Sequence, residues 1–298
     1  MVNVHTKLED LNLVDRFLFS EAMESKEVYQ AAINILLENE VELLGSPETE
    51  KELRVSPELR QVRLDVIGMD EEKTLYYTEM QKRNTGNLKK RSRYYQAQLD
   101  VSLLETGCKN FNLLNNSCLI LIAPFDIFGR KLYRYTFEGT CRECPDLRLE
   151  DGAIRVFINT NGTNAEDFSQ EFLDFMEYIT AYTDEKVKGI KSNRIRLIHE
   201  KVERIRASEK AGMKYMQRWE EIEYARDDGR EEGFIKRLIQ MVCKKIRRGK
   251  TIAEIADDLE EDLEQIEKIY NVAQEFAPTY DLNKIYDKCL EEYRGTAE

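Results

Sequence analysis

The segments VRLDVIG (62–68) and TLYYTEMQ (74–81) decide the fold of this chain. Both segments alternate apolar and polar residues, which predicts β-strands, and the polar segment MDEEK (69–73) between them is short enough to close a hairpin. We take the register in which the turn pairs Asp70 with Thr74. A shift of that register by two residues would leave the same side chains as diagonal neighbours.

In this register the hairpin carries two acidic residues opposite each other. Asp65 faces Glu79, and Gln81 lies on the same side as Glu79, about 7 Å away along the strand. Facing carboxylates repel unless both are solvated, one is protonated, or a cation lies between them. Mg²⁺ binds such hard oxygen ligands, polarises phosphoryl oxygens and lowers the pKa of a bound water. A solvated acidic face of the hairpin is the alternative interpretation.

A run of cationic residues directly follows the hairpin. Residues 82–93 carry six positive charges and no negative one, in a chain of 298 residues with a formal net charge of −12. A phosphodiester substrate needs such a strip beside a magnesium site, because cations neutralise its backbone and aromatic rings stack on bases. The alternatives are a solvated helix face for the strip and core packing for Tyr94 or Tyr95. The candidate nucleic-acid contacts are Lys82, Arg83, Lys89, Lys90, Arg91, Arg93 and Tyr94.

The remaining patterns predict an α/β fold that is followed by a helical extension. The wholly apolar segment SCLILIAPF (117–125) is typical of a buried central strand. The composition changes near residue 184, where we place a domain boundary, and residues 186–206 form a basic segment with eight cationic side chains. Periodicity predicts further strands at 131–137 and 153–158, and helices at 15–38, 86–106, 164–181 and 190–248, the last with a break at 227–229.

Composition excludes several classes of protein. Two histidines rule out a three-histidine zinc site, and the net negative charge argues against a surface that coats nucleic acid. Six cysteines are few for this length, and the first residues contain no apolar segment, so we expect a cytoplasmic protein. The longest apolar run, 118–125, is too short to cross a bilayer, so we expect no membrane partner. Cys141 and Cys144 lack further zinc ligands nearby and are interpreted as part of a turn.

Four blocks of this sequence resemble one known family, the PD-(D/E)XK nuclease family transposases, also called the recombination-promoting nuclease (Rpn) family. The resemblance covers roughly residues 10–182 and implies a restriction-endonuclease-like core, a mixed sheet flanked by helices in the order α-β-β-β-α-β. The blocks are RLDVIGMDEEKTLYYTEMQKRN, KKRSRYYQAQLD, LILIAPFDIFGRKLYRYTFEGTCRE and LEDGAIRVFINTNG.

The resemblance also implies roles for individual residues. It places the family's sheet aspartate on Asp65 and its ExK triplet on Glu79-Met80-Gln81. Two positions depart from the superfamily pattern, because Leu64 replaces a proline and Gln81 replaces the usual lysine. The superfamily often adds an acid from the first helix, and the candidates here are Asp15, which lies in the block DRFLF, and also Glu21 and Glu24.

Within the helical extension, residues 185–298, the segments DDGREEG (227–233) with its following helix and GKTIAEIADDLEEDLEQIEKIY (249–270) resemble the small helical end that many members of the family carry. Residues 250–270 predict two short helices of a helix-turn-helix type, but this segment has two basic and eight acidic residues and would repel phosphates. We therefore expect self-association or packing from it, and nucleic-acid contact from the basic segment 186–206.

Together these features predict a metal-dependent DNA endonuclease. The resemblance to the family implies that it acts in recombination or in mobile elements. Asp65 and Glu79 would bind Mg²⁺ or Mn²⁺, Gln81 would orient water or phosphate, and Asp15 is the candidate third acid. Two alternatives are a catalytically inactive protein that still binds nucleic acid, and a structural partner that oligomerises through its tail. The choice between DNA and RNA is left open by the sequence.

Overall fold

The computed structural model describes residues 6–53, 61–104, 107–181, 187 and 189–295. The chain divides into two compact units, residues 1–215 and 216–298. The predicted domain boundary near residue 184 lies outside the described residues. The division at 184 therefore stays a prediction.

In the described residues of the first unit, six strands form one mixed sheet. The strands are β1 (Glu48–Leu53), β2 (Val62–Met69), β3 (Leu75–Met80), β4 (Ser117–Ala123), β5 (Arg134–Phe137) and β6 (Ala153–Asn159). Their order in the sheet is β1-β2-β3-β4-β6-β5. The pairs β1-β2, β2-β3 and β5-β6 are antiparallel, whereas β3-β4 and β4-β6 are parallel. The predicted central strand is confirmed, because every residue of β4 is buried.

The predicted hairpin register is confirmed. Strands β2 and β3 pair Met69 with Leu75 and Val66 with Thr78. The turn is closed by Asp70, which donates its backbone N–H to the Thr74 carbonyl at 3.1 Å and accepts the Thr74 N–H on its carboxylate at 2.8 Å. The hairpin could be predicted from the sequence because a short polar link between two apolar strands is a local signal.

Helices cover both faces of the sheet, as expected for the restriction-endonuclease-like core. The helices of the first unit are α1 (Arg16–Met23), α2 (Lys26–Leu37), α3 (Leu88–Leu103), α4 (Gln170–Thr180) and α5 (Asn193–Arg206). The face of the sheet that carries Val66, Tyr76 and Ile120 packs against α1, α2, α4 and α5, and the other face packs against α3. Short 3₁₀ turns occur at Leu8–Asp10, Phe111–Leu113 and Ala165–Asp167.

Three helix predictions need correction. The helix predicted over 190–248 is divided near residue 207, because one helix ends at Arg206 and the next begins at Glu209. The single helix predicted over 15–38 is two helices, because the Ser25 hydroxyl accepts the Val28 N–H and begins α2 as an N-cap. The helix predicted to begin at Asn164 begins at Gln170, where Ser169 is the N-cap and accepts the Phe172 N–H.

The second unit is a helical cluster around its own apolar core. The expected pair of short helices after residue 250 is present, and Thr251 with Glu254 forms a capping box at the start of the first. The helices are α6 (Glu209–Ile246), which begins in the first unit, α7 (Ile252–Leu259), α8 (Leu263–Glu275) and α9 (Leu282–Gly295). In the described part of the chain, no helix is long and apolar enough to cross a membrane.

The predicted break at residues 227–229 is wrong, because α6 runs through them without interruption. A glycine inside a helix costs only about 1 kcal/mol relative to alanine. Ion pairs one turn apart offset this cost, among them Arg230 with Asp227 at 2.8 Å and Lys236 with Glu232 at 2.6 Å.

Candidate active site

The two candidate carboxylates meet where the β2–β3 ladder ends. Asp65 and Glu79 are 1% and 5% exposed. The Asp65 backbone N–H donates to Glu79 Oε1 at 3.1 Å, and the Met80 N–H donates to Asp65 Oδ2 at 3.0 Å. Each carboxylate is therefore held by a backbone amide of the neighbouring strand. We call this arrangement of Asp65 and Glu79 the carboxylate clasp.

An irregularity in the outer strand lies beside the clasp. Glu50 has a φ of 53°, in the left-handed region, although the residues on either side of it pair regularly with Val66 and Leu64. Such a conformation costs about 1–2 kcal/mol in a non-glycine residue. Leu64 and Ile67 are three positions apart, so strict alternation would place them on opposite faces of the sheet. Both nevertheless contribute to the same apolar cluster. The alternation of side chains therefore breaks at the clasp, which a strict two-residue period cannot predict.

Arg16 supplies the positive charge nearest to the clasp. Its Nε contacts Asp65 Oδ1 as an ion pair, and its Nη2 donates to the Arg63 carbonyl at 3.2 Å. Burial lowers the pKa of Arg16, but the charges of Asp65, Glu79 and Glu50 outweigh burial and raise it. Sequence reasoning missed this residue, since the contact joins positions 49 apart and no local pattern marks it.

Burial also controls the protonation of Glu79. Its pKa is raised well above the usual value, first by burial and then by the Asp65 charge, while Arg16 and Arg91 act in the opposite direction. A buried acid beside a second acid favours its neutral form until a cation compensates the charge.

The first-helix acids separate into two groups. Asp15 is the N-cap of α1, accepts the Phe17 N–H at 3.0 Å, and lies 3.7 Å from the Lys82 ammonium. Glu21 and Glu24 instead pair with Lys214. Asp15 thus precedes Arg16 and lies near the basic strip, but within the described ranges it does not form a metal-holding group of three with Asp65 and Glu79. Its role as a third acid stays a prediction.

The amide of Gln81 is fixed at both ends. Its oxygen accepts a hydrogen bond from Arg91 Nη2, and its nitrogen donates to the Arg83 carbonyl at 2.8 Å. Its backbone N–H donates to the Ile122 carbonyl on β4 at 2.8 Å. Gln81 therefore links the end of β3 to the basic helix α3, and its amide is positioned by protein groups.

The basic strip presents its charges to solvent on one side of the clasp. Arg91 is half-buried and lies 5.5 Å from the ring of Tyr95, which packs against the β2–β3–α3 cluster. Lys89 lies 4.6 Å from the ring of Phe128. Tyr94 is 36% exposed, so core packing holds for Tyr95 and not for Tyr94. The exposed members of the strip are Lys82, Arg83, Lys89, Lys90, Arg93 and Tyr94.

The donor set fits a divalent cation that takes few protein ligands. Within the described ranges, no group of three or more His, Cys, Asp or Glu side chains could hold a metal, and this includes Cys141 and Cys144. Asp65 and Glu79 offer two carboxylates, and Mg²⁺ in phosphoryl-transfer sites commonly takes one or two, with water and substrate oxygens as the rest. The clasp also already attracts one cation, the guanidinium of Arg16.

The basic segment 186–206 is built differently from the strip. In α5, which contains most of it, Arg194 binds Glu40 and also Glu171, the latter at 3.1 Å. Arg206 binds the Leu11 carbonyl and Glu203. These arginines hold α5 against the rest of the first unit.

Comparison with known proteins identifies the family. A family model described as PD-(D/E)XK nuclease family transposase matches residues 12–228, which include the clasp, the strip and α5. Neither the comparison with curated proteins nor the comparison with solved structures found a match. PD-(D/E)XK nucleases generally use divalent metal ions and act on nucleic acid. The resemblance stated above is confirmed, and the chain belongs to the PD-(D/E)XK nuclease family transposases.

Proposed function

We propose that this protein is a Mg²⁺-dependent DNA endonuclease. The observation that supports the proposal best is the carboxylate clasp. In it, two buried acids of adjacent strands lie next to each other, and an exposed basic strip follows them in the chain. Buried carboxylates without full compensation are costly, and a divalent cation compensates both at once. Family membership supports a nuclease and leaves the substrate, the metal and the cleavage mode to this proposal.

Each residue of the site has a separate task. Asp65 and Glu79 would hold Mg²⁺, or Mn²⁺ in its place, with Asp15 as the adjacent acid. The bound cation would supply Lewis-acid chemistry, which polarises a phosphoryl oxygen and lowers the pKa of a water. Arg91 would contact the phosphodiester, and the exposed members of the strip would hold the backbone on either side.

Gln81 would act by orientation. An amide does not titrate near pH 7, so Gln81 cannot be a general base. The hydrogen bond between Gln81 and Arg91 supports a role in which Gln81 orients the Arg91 guanidinium toward a phosphate. Orientation of water, the other role expected from the sequence, would use the second N–H of its amide nitrogen, because the first donates to the Arg83 carbonyl.

Cleavage of supercoiled plasmid tests the proposal. Wild-type protein is incubated with Mg²⁺, Mn²⁺ or Ca²⁺, beside Asp65→Asn and Glu79→Gln, which keep the shape of each side chain and remove its charge. Glu72→Gln, an exposed acid in the hairpin turn, is the matched control. We expect nicking with Mg²⁺ and Mn²⁺ by the wild type and the control only. Equal nicking by Asp65→Asn would refute the site, and cleavage of RNA alone would refute the substrate.

A catalytically inactive nucleic-acid-binding protein is the second candidate, and the ion pair between Arg16 and Asp65 favours it. A gel shift with DNA and Mg²⁺ but without cleavage products would establish it.

We also propose a cytoplasmic location, supported by the free thiols of Cys141 and Cys144. Self-association through the second unit stays a proposal, which sedimentation of the full chain beside a variant that ends at residue 215 would test.

A further inference from the structure

Arg16 occupies the side of Asp65 that a metal ion would need. Its Nε contacts Asp65 Oδ1, while Asp65 Oδ2 already accepts the Met80 N–H. Both carboxylate oxygens of Asp65 are thus engaged by the protein itself. Oδ1 is the oxygen that does not accept the Met80 N–H, and a cation that binds there must displace the guanidinium or share that oxygen with it.

We propose that Arg16 is a resident counter-ion that competes with the divalent cation for Asp65 and leaves Asp65 when the cation binds. This inference rests on the proposed function, because it takes Asp65 as a metal ligand. It adds a regulatory residue to the site, one that sets how tightly the cation binds before any nucleic acid is present.

The position of Arg16 suits a group that moves. It is the first residue of α1, so its backbone lies at a helix end, and its side chain is 39% exposed while that of Asp65 is only 1% exposed. A charge that is partly in water can leave a buried partner without itself becoming a buried, unpaired charge. The bond from Nη2 to the Arg63 carbonyl supplies an anchor that does not involve the metal ligands.

An acid outside the clasp, Glu50, lies near Arg16. Glu50 lies in β1 opposite the clasp, already pairs with Arg63, and acts electrostatically on Arg16. Its left-handed backbone places an acid beside the clasp at a cost in conformational energy, which is typical of functional sites. Glu50 would receive the guanidinium after its release.

The competition predicts opposite effects on the metal-free and the metal-bound protein. Without a metal, removal of Arg16 leaves two buried acids without their nearest positive charge, which destabilises the fold. With a metal, the same removal eliminates the competitor and strengthens binding. An ion pair at a place that binds no metal would produce only the first effect.

Titration of Mn²⁺ in the absence of nucleic acid tests the inference, with calorimetry or electron paramagnetic resonance as the measurement. We expect Arg16→Gln to bind Mn²⁺ about tenfold more tightly than the wild type, the effect of removing competition worth about 1.4 kcal/mol. Lys26→Gln is the matched control, because Lys26 is the first residue of the neighbouring helix α2 and contacts no clasp residue in the described structure. We expect its affinity for Mn²⁺ to equal that of the wild type.

Asp65→Asn separates this inference from the proposed function. If Asp65→Asn abolishes saturable Mn²⁺ binding and Arg16→Gln binds with unchanged or weaker affinity, the metal site stands and the competition is refuted. If Asp65→Asn binds Mn²⁺ like the wild type, the metal site itself is refuted. Should Arg16→Gln fail to fold, Arg16→Lys takes its place, because a lysine cannot bind Asp65 and the Arg63 carbonyl with two nitrogens; affinity equal to or below that of the wild type would then overturn the inference.

Discussion

Two basic segments of this chain look alike in sequence and differ in structure. In the strip at 82–93 the lysines and arginines other than Arg91 are exposed to solvent. The arginines of α5 at 194 and 206 instead bind acids and carbonyls of distant segments. A run of positive charge therefore does not identify a nucleic-acid site by itself. The role of such a basic segment depends on whether the fold brings acidic residues next to it.

The largest expected effect is on nucleic-acid affinity. The triple variant Lys89→Gln, Lys90→Gln, Arg93→Gln removes three exposed cations of the strip. Its affinity for duplex DNA at about 0.1 M salt should fall roughly hundredfold. Because about 0.9 counter-ions are released per phosphate contact, the slope of the logarithm of affinity against the logarithm of salt concentration should be shallower by about 2.7. Fluorescence anisotropy at several salt concentrations measures both quantities.

The matched variant removes three cations from the other segment, namely Lys191→Gln, Lys201→Gln, Arg204→Gln. Its affinity should stay within about threefold of that of the wild type, because long-range screened charge contributes little at that salt concentration. Equal losses in the two triple variants would remove the distinction between the segments.

The next largest effect concerns Arg91, the strip residue nearest to the clasp. Arg91→Met should lower the cleavage rate about tenfold or more, as loss of an outer-shell partner does in metal sites. Its DNA affinity should change by only a few-fold. Single-turnover cleavage and anisotropy on the same oligonucleotide separate these effects, and Lys90→Met, one position earlier on α3, is the control. A loss of affinity as large as the loss of rate would make Arg91 an ordinary backbone contact.

A smaller effect is expected on stability in α5. Arg194→Ala removes a guanidinium that joins Glu40 and Glu171 while partly exposed. It should lower the free energy of unfolding by about 1 kcal/mol, the upper range for solvent-accessible ion pairs. Urea unfolding followed by circular dichroism measures the change, with Lys191→Ala as control. Unchanged stability combined with weakened DNA binding would move α5 into the nucleic-acid interface.

The smallest effect is expected from a third basic segment, KKIRRGK at 244–250. Hydrogen bonds from Lys245 and Lys250 lower the pKa of Asp258 to about 2. The stabilisation is complete above the unfolded-state pKa near 4 and is lost as the pH falls from about 4 to 2. The melting temperature of the wild type relative to Asp258→Asn should therefore decrease over that window only. A constant difference from pH 5 to pH 2 would contradict this linkage.

Local signals explain what the sequence could predict. The register of β2 and β3, the buried strand β4 and the two short helices after residue 250 follow from alternation, apolar runs and capping residues. Ser25 is a capping residue of the same kind, so the division between α1 and α2 was within reach of the sequence.

Long-range contacts explain what the sequence could not predict. Arg16 meets Asp65 because the start of α1 packs beside β2, and no periodicity encodes that approach. The left-handed Glu50 and the use of the α5 arginines in packing have the same origin. The fold and the pair of acids could therefore be read from the sequence, whereas the groups that regulate their charge required coordinates.

The carboxylate clasp has one further consequence. The amide protons of Asp65 and Met80 are held by carboxylate oxygens of Glu79 and Asp65, the two proposed metal ligands. Any ion that draws those oxygens away loosens both amides, so their deuterium uptake should rise on loading while that of Thr78, inside the regular ladder, stays slow. Two backbone positions thus report on the occupancy of the site without any cleavage.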